Sequence, residues 1–352
     1  MSIQHLRARQ NGLSIVELMV ALLLASILTL GLVYVFVTNS DTFRLNQAQA
    51  RVQEAGRTAS DILSRAVRNA DHWGCSSPGG GGGGRLTSLL NDDSGFDSSS
   101  FFSGLAGESD VGEGSEFDAV SGSDVVIFGG LESNASLRVD QRIPVNAARL
   151  FMEDPTDLFE VGDIIVVSDC KGAEMMQATN VNEQGIVANT GARDPGNRTK
   201  NQSEYQPGAT AARPGRSSFY VREGDDGDRA LVYNPMRVDD RDDNEGEWAG
   251  FVELVSNVWD LRVEFGRDTS GNSRVDTWSA PGPQSEADEA IAVRFSILVR
   301  SPQEEVVEEP VSYCFPGWLD CENDNTLRTQ AADERLYRVY TSTATLRNRM
   351  GQ

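Results

Sequence analysis

An α+β fold, in which one very long N-terminal helix packs on a mainly antiparallel β domain, is predicted by three observations. Residues 13–37 form a run of 25 residues with a single charge, Glu17. Residues 38–71 continue without proline and place Leu45, Ala48, Val52, Ala55, Ala59, Ile62 and Ala66 at steps of three and four, on one face of a helix. From Asp124 onward, short β-branched or alternating segments recur between Gly, Asn, Asp and Pro, which is the pattern of strands and turns.

The apolar run comes first. At 1.5 Å per residue it rises about 37 Å, enough to cross a hydrocarbon core of about 30 Å. The leader before it, MSIQHLRARQNG, carries Arg7 and Arg9, which by the positive-inside rule stay cytoplasmic and send everything after Val37 outward. A secretory signal is cut behind its apolar core, but here Gly12 stands before the core and no Ala-x-Ala-like site follows it. The core is therefore expected to be kept. Glu17 is then a costly residue, about 2.5–3.5 kcal/mol at mid-bilayer and less toward the interface, so it calls for a partner.

These residues resemble a type IV pilin-like N-terminus, with Gly12 as the last leader residue, Leu13 as the first mature residue and Glu17 as the acidic residue. Leu-Ser-Ile-Val-Glu stands where the commonest form is Phe-Thr-Leu-Ile-Glu. The resemblance implies cleavage between Gly12 and Leu13 by a prepilin peptidase and methylation of the new amine. It also implies that Glu17 pairs with the α-amine of a neighbouring subunit inside a bundle of apolar helices, satisfying the buried charge. A plain membrane anchor with Glu17 at the interface is the rival reading, and it gives no reason for a glycine placed before the core.

The helix is expected to run from about Ser14 to Asp71, apolar all round in its first half and amphipathic in its second. Trp73, Gly74 and Cys75 end it, and Pro78 with six consecutive glycines at 79–84 prevents its resumption. The glycine run is followed by Arg85 and Leu86 rather than Lys and Ser or Thr, and no strand precedes it, so a flexible loop is expected and not a phosphate loop. Residues 91–123 read as a long loop. Strands are expected at 124–128, 136–143, 163–168, 185–189, 218–222, 229–233, 258–265, 290–300 and 336–346. In 290–300, Ile291, Val293, Phe295, Ile297 and Val299 alternate with Arg294 and Ser296, so one face should be buried by the helix and the other wet.

Within the pilin-like proteins the layout is similar to that of PilW-like minor pilins. The residues that carry this are Trp73-Gly74-Cys75, a strand ending Ser168-Asp169-Cys170, the strand AVRFSILVRS, and a terminal Leu346-Arg347-Asn348-Arg349. The expected organisation is a leader (1–12), a membrane-spanning assembly helix (13–37), the amphipathic half of the helix (38–71) and a periplasmic β-rich domain (72–352) with glycine-rich and acidic loops. As the resemblance implies, the partners are prepilin peptidase, the inner membrane, and other minor pilins and the major pilin through the N-terminal helix, with a tip adhesin as a further candidate. A minor pseudopilin of type II secretion, similar to its J component, is the alternative, and an anchored periplasmic enzyme or binding protein is the third reading.

Composition narrows the chemistry. The net charge of −22 repels nucleic acid backbones, so direct nucleic acid binding is not expected. Two lysines occur, Lys171 and Lys200, so nearly all positive charge is arginine. The four cysteines, Cys75, Cys170, Cys314 and Cys321, lie on the exported side, where oxidation is permitted, and allow three pairings. Cys314 with Cys321 and Cys75 with Cys170 are favoured; zinc is the competing reading, with spacings that do not suit it. Only His5 and His72 could act as a histidine base, and paired carboxylates in so acidic a chain read as solvated surface, so neither an enzyme nor a cofactor is expected. Asp268, Asn272 and Asp276, and separately Asp225, Asp226 and Asp228, form oxygen-rich turns that fit either calcium or a plain acidic turn.

Overall fold

The structure, a computed structural model, describes residues 14–74, 86–91, 104–112, 115–169, 171–191, 194–237, 247–248, 250–282 and 284–350. Gly12, Leu13, Cys75, Cys170, the glycine run and most of the acidic stretch near residue 240 lie outside these. One helix, α1, spans Ile15–Asn69 without a break, followed by β-sheets. The nine-stranded sheet contains β1 (Leu86–Ser88), β2 (Leu105–Glu108), β3 (Val125–Arg138), β5 (Ile164–Asp169), β6 (Gly172–Gln177), β9 (Thr210–Glu223), β10 (Arg229–Arg237), β11 (Glu247–Trp248) and β12 (Val252–Ser256). A small sheet is built from β4 (Arg149–Phe151), β7 (Asn180–Asn182) and β8 (Gly185–Val187). The four-stranded sheet has the order β14-β13-β15-β18, with β13 at Val258–Arg267, β14 at Thr277–Ser279, β15 at Ala290–Arg300 and β18 at Tyr337–Thr345. A two-stranded ribbon of β16 (Ser312–Cys314) and β17 (Arg328–Gln330) completes it. Pairing is antiparallel except between β1 and β6. The fold is α+β, a long helix on a largely antiparallel domain.

The second half of α1 lies on the four-stranded sheet, and its buried stripe is Ala48, Val52, Gly56, Ala59, Leu63 and Val67. This corrects the expected stripe, because Leu45, Ala55, Ile62 and Ala66 lie at its margin, half-buried. The reason is Gly56. The ring of Tyr340 on β18 rests against it, and a Cβ there would stand 2.1 Å from Tyr340 Cε2. The smallest residue on the helix therefore marks the line of closest approach, although hydropathy alone gives it no weight. Gly56→Val is expected to push the ring away and cost about 1–3 kcal/mol by overpacking. Denaturant unfolding checks this: loss of less than about 0.5 kcal/mol, the range of inert surface changes, would contradict it.

Val52, Ala59, Leu63 and Val67 share one core with Phe128, Phe219, Leu231, Val263, Phe265, Phe295, Ile297 and Val299, so the helix is clamped by both sheets. Each buried Val, Leu, Ile or Phe side chain among them contributes about 1.5–3 kcal/mol. A second cluster, with Leu89, Ile143, Leu150, Phe159, Ile165, Met176, Ile186 and Tyr205, excludes the helix. β9 connects the two: β3 follows one of its edges, while the other pairs with β5 at its start and with β10 at its end.

Three further expectations are corrected. The strands expected at 124–128 and 136–143 merge into the single long β3, with a register shift between Leu131 and Ser136. The expected loop 91–123 contains β2, which pairs with β3. The outer face of β15 is not wet: Ser296 is 0% and Leu298 2% exposed. The cover is the loop closed by the Cys314–Cys321 disulfide, whose Gly317 N–H donates to Ser296 Oγ at 2.9 Å. Trp318 from that loop and Trp278 from β14 flank the Arg294 guanidinium at 4.8 and 4.6 Å. A loop held by a bond between cysteines seven residues apart thus turns a solvent face into an interior one.

Candidate functional site

The N-terminal half of α1 has no cover within the chain. Its apolar side chains are largely exposed, from Ile15 at 79% to Val37 at 49%, and none of its most apolar window is buried. The helix is long and apolar enough to cross a membrane. The polar groups in this stretch are satisfied locally: Ser26 Oγ donates to the Leu23 carbonyl and Thr29 Oγ1 to that of Ala25, each at 2.8 Å, as apolar surroundings require. Glu17 has no such partner among the described residues. It sits in the first turn, exposed, beside Val16, Val20, Ala21 and Leu24. The positive end of the helix dipole favours a carboxylate there, and no described residue of the chain takes up its oxygens.

The other end of α1 is fixed. After Asn69 the chain turns at Asp71, whose positive φ of 60° directs its carboxylate back into the domain. Asp71 Oδ2 meets Arg349 Nε at 2.5 Å, with both side chains under a tenth exposed, while Oδ1 accepts from Trp73 Nε1 at 2.8 Å. Arg349 Nη1 also donates to the Ala287 and Ala290 carbonyls, at 2.5 and 2.9 Å. Asn348 Nδ2 donates to the Ala70 carbonyl at 2.8 Å, capping the helix end, and Leu346 is fully buried beneath it. Trp73 packs with Ile164, Val166 and Met175. The chain terminus thereby locks the helix to the sheet, in a way that spacing along the sequence could not reveal.

The remaining candidates have structural occupations. Asp268 accepts from the N–H groups of Gly271, Asn272 and Ser273 at 2.7, 3.1 and 2.6 Å. Asp276 accepts from those of Thr269 and Ser270, both at 2.9 Å. The Ser273, Asn272 and Gly271 amides hold the Asp268 carboxyl below the usual range, and the Ser270 and Thr269 hydroxyls, with their amides, do the same for Asp276, so the oxygens are spent on the turn itself. Asp226 accepts from the Asp228 N–H at 3.2 Å, while Asp228 lies 3.5 Å from Arg300. Burial pushes Asp260 up to about 6 and raises Asp124, Asp163 and Glu174, but each accepts from backbone N–H groups in a packed setting. His72 enters a backbone bridge to Gly130 with its side chain exposed. Among the described residues no cluster of three or more His, Cys, Asp or Glu is arranged to hold a metal.

A prokaryotic N-terminal methylation motif matches residues 7–33, spanning Gly12, Leu13 and Glu17. The family described as type IV pilus-assembly protein W matches residues 218–348, from the second half of β9 to Asn348 in the lock. Together the two matches support a PilW-like type IV minor pilin. The PilW match covers the strands that receive the helix and ends where the chain closes on Asp71, so family and geometry meet on the same architecture. The second hydrophobic cluster, drawn from residues 89–211, precedes that match. No curated protein and no solved structure matches the chain. The matches point to a membrane-anchored structural pilin, and the motif suggests processing by a prepilin peptidase and interaction with other pilus components.

Proposed function

We propose that this PilW-like minor pilin, inserted in the inner membrane with its β domain in the periplasm, helps to start assembly of a type IV pilus and takes a place at the fibre tip. The observation that supports this most is an apolar rod left uncovered in the subunit, with Glu17 at its start unpartnered among the described residues and a rigid lock at its far end. A rod of this kind is completed only by neighbours. Motility, adhesion or DNA uptake would then follow from the fibre, without direct contact between this acidic chain and nucleic acid. Gly12→Arg in an otherwise normal strain should leave the leader attached and strip fibres from the surface. Normal fibres with lost type II secretion would instead favour a pseudopilin.

Processing is the first chemical step of this proposal. Mass spectrometry of membrane-extracted protein is expected to find an N-methylated Leu13 at the terminus. Met1 retained, or a cut beyond Ser26, would contradict it.

We also propose the Cys75–Cys170 bond, both residues of which lie outside the described ones. Their neighbours approach closely: Gly74 has a positive φ of 80°, and a Cβ on it would stand 2.0 Å from Ser168 Oγ. A bridge there would fasten the helix exit to β5 and constrain a long loop, contributing about 4.7 kcal/mol in the chain-entropy account. Non-reducing peptide mapping should recover Cys75 with Cys170, and Cys75 joined to Cys314 or Cys321 would sink the pairing.

A further inference from the structure

Beyond residue 71 the chain carries 48 acidic against 24 basic residues, but the amphipathic half of α1 inverts this balance. Arg44, Arg51, Arg57, Arg65 and Arg68 are exposed there against Asp41, Glu54 and Asp61. Arg65 pairs with Asp61 at 2.6 Å, while Arg44 and Arg51, seven residues apart on one side of the helix, have no ion-pair partner among the described residues. An opposite patch lies elsewhere on the same chain. Glu304, Glu305, Glu308 and Glu309 are all exposed in the segment after β15, and among the described residues only Glu304 has an ion-pair partner, Arg335 at 2.5 Å.

The two patches lie at similar heights above the membrane. At the top of the domain, Arg349 joins Asp71 to the start of β15 at Ala290; further down, Tyr340 rests on Gly56 and is paired in register with Ile297. β15 therefore runs down the helix toward the bilayer, and the three residues from Ile297 to Arg300 add about 10 Å. That brings the strand end level with helix residues about six or seven positions below Gly56, between Arg44 and Arg51. Copies anchored side by side in one membrane keep the same height. An acidic patch on one and a basic patch on the next then face each other without axial shift.

We propose that Arg44 and Arg51 form a docking surface for the acidic segment 304–309 of a second copy of this chain standing beside the first. The two patches differ, so the contact is head-to-tail and can repeat from copy to copy. Net repulsion between copies is screened beyond about 8 Å at physiological salt, which leaves the local complementarity to orient them. This rests on the membrane-anchored assembly reading but does not require Glu17 to pair with an amine.

The test uses two differently tagged full-length copies, purified and reconstituted in bilayers of zwitterionic lipid, with a photo-crosslinking side chain at Gln47, which is exposed between the two arginines. The expected adduct joins the copies and maps to the segment 301–310. Its yield should fall about fivefold in the double variant Arg44→Glu, Arg51→Glu, as expected for two exposed ion pairs. Yield should return when the partner copy carries Glu305→Arg and Glu308→Arg. Absence of adducts between copies, adducts to lipid only, a map to another segment, or a yield indifferent to the charge swap would each overturn the proposal. Glu17→Ala serves as the separating control: wild-type fibre numbers in that variant would end the Glu17 role, while an unchanged crosslink in it leaves this surface standing.

Discussion

Arg349→Ala is expected to destabilise the folded domain by about 3–5 kcal/mol, the usual cost of breaking a buried ion pair from one side. The cost arises because Asp71 stays behind, almost fully buried, with Trp73 Nε1 as the remaining side-chain donor to it among the described residues, and because the Ala287 and Ala290 carbonyls lose a shared donor. Domains of this kind carry about 5–15 kcal/mol in total, so the helix end should come loose well below the wild-type midpoint. Tryptophan fluorescence of the detergent-solubilised full chain against denaturant reads the change directly, since Trp73 is fully buried in the lock. Arg338→Ala, an exposed arginine on β18, is the control and should shift stability by about 0.5 kcal/mol or less. Asp71→Ala should lose a similar amount, and the double variant less than the sum of the two. Equal midpoints for Arg349→Ala and Arg338→Ala would remove the lock.

Glu17→Ala should do the reverse, leaving the subunit folded and lowering assembly about tenfold or more. The side chain is exposed and far from either hydrophobic cluster, so its loss removes nothing that holds the subunit together. Once helices pack, however, an amine left without its carboxylate inside an apolar bundle costs several kcal/mol, and each 1.4 kcal/mol is about a factor of ten. Glu17→Asp keeps the charge but withdraws it by one methylene, and should fall between. Fibre counts on cells whose only copy carries the variant, in a background without redundant minor pilins, measure the effect. Wild-type numbers with Glu17→Ala would end the pairing role.

The elements of this protein whose signal is local were readable from the chain. The apolar run long enough to span a membrane, the unbroken helix, the methylation motif at residues 7–33 and the strand Ala290–Arg300, which forms with the expected bounds, each follow from composition, motif or periodicity within a window of residues. The Cys314–Cys321 bond was likewise favoured by nearness in sequence. Small elements such as β2, β4 and β7 were not readable, since three or four residues give no period to detect.

Tertiary structure alone decided how these pieces meet. It set Gly56 under Tyr340, so the buried stripe lies one position from where hydropathy put it, and it laid the disulfide loop over the outer face of β15. It also brought Arg349 to Asp71 across 278 residues. The physical reason is that helix and strand periods of 3.6 and 2.0 are written into neighbouring residues by backbone geometry. The pairing of distant side chains depends instead on the register and orientation in which whole elements pack, and a single chain carries no local mark of that.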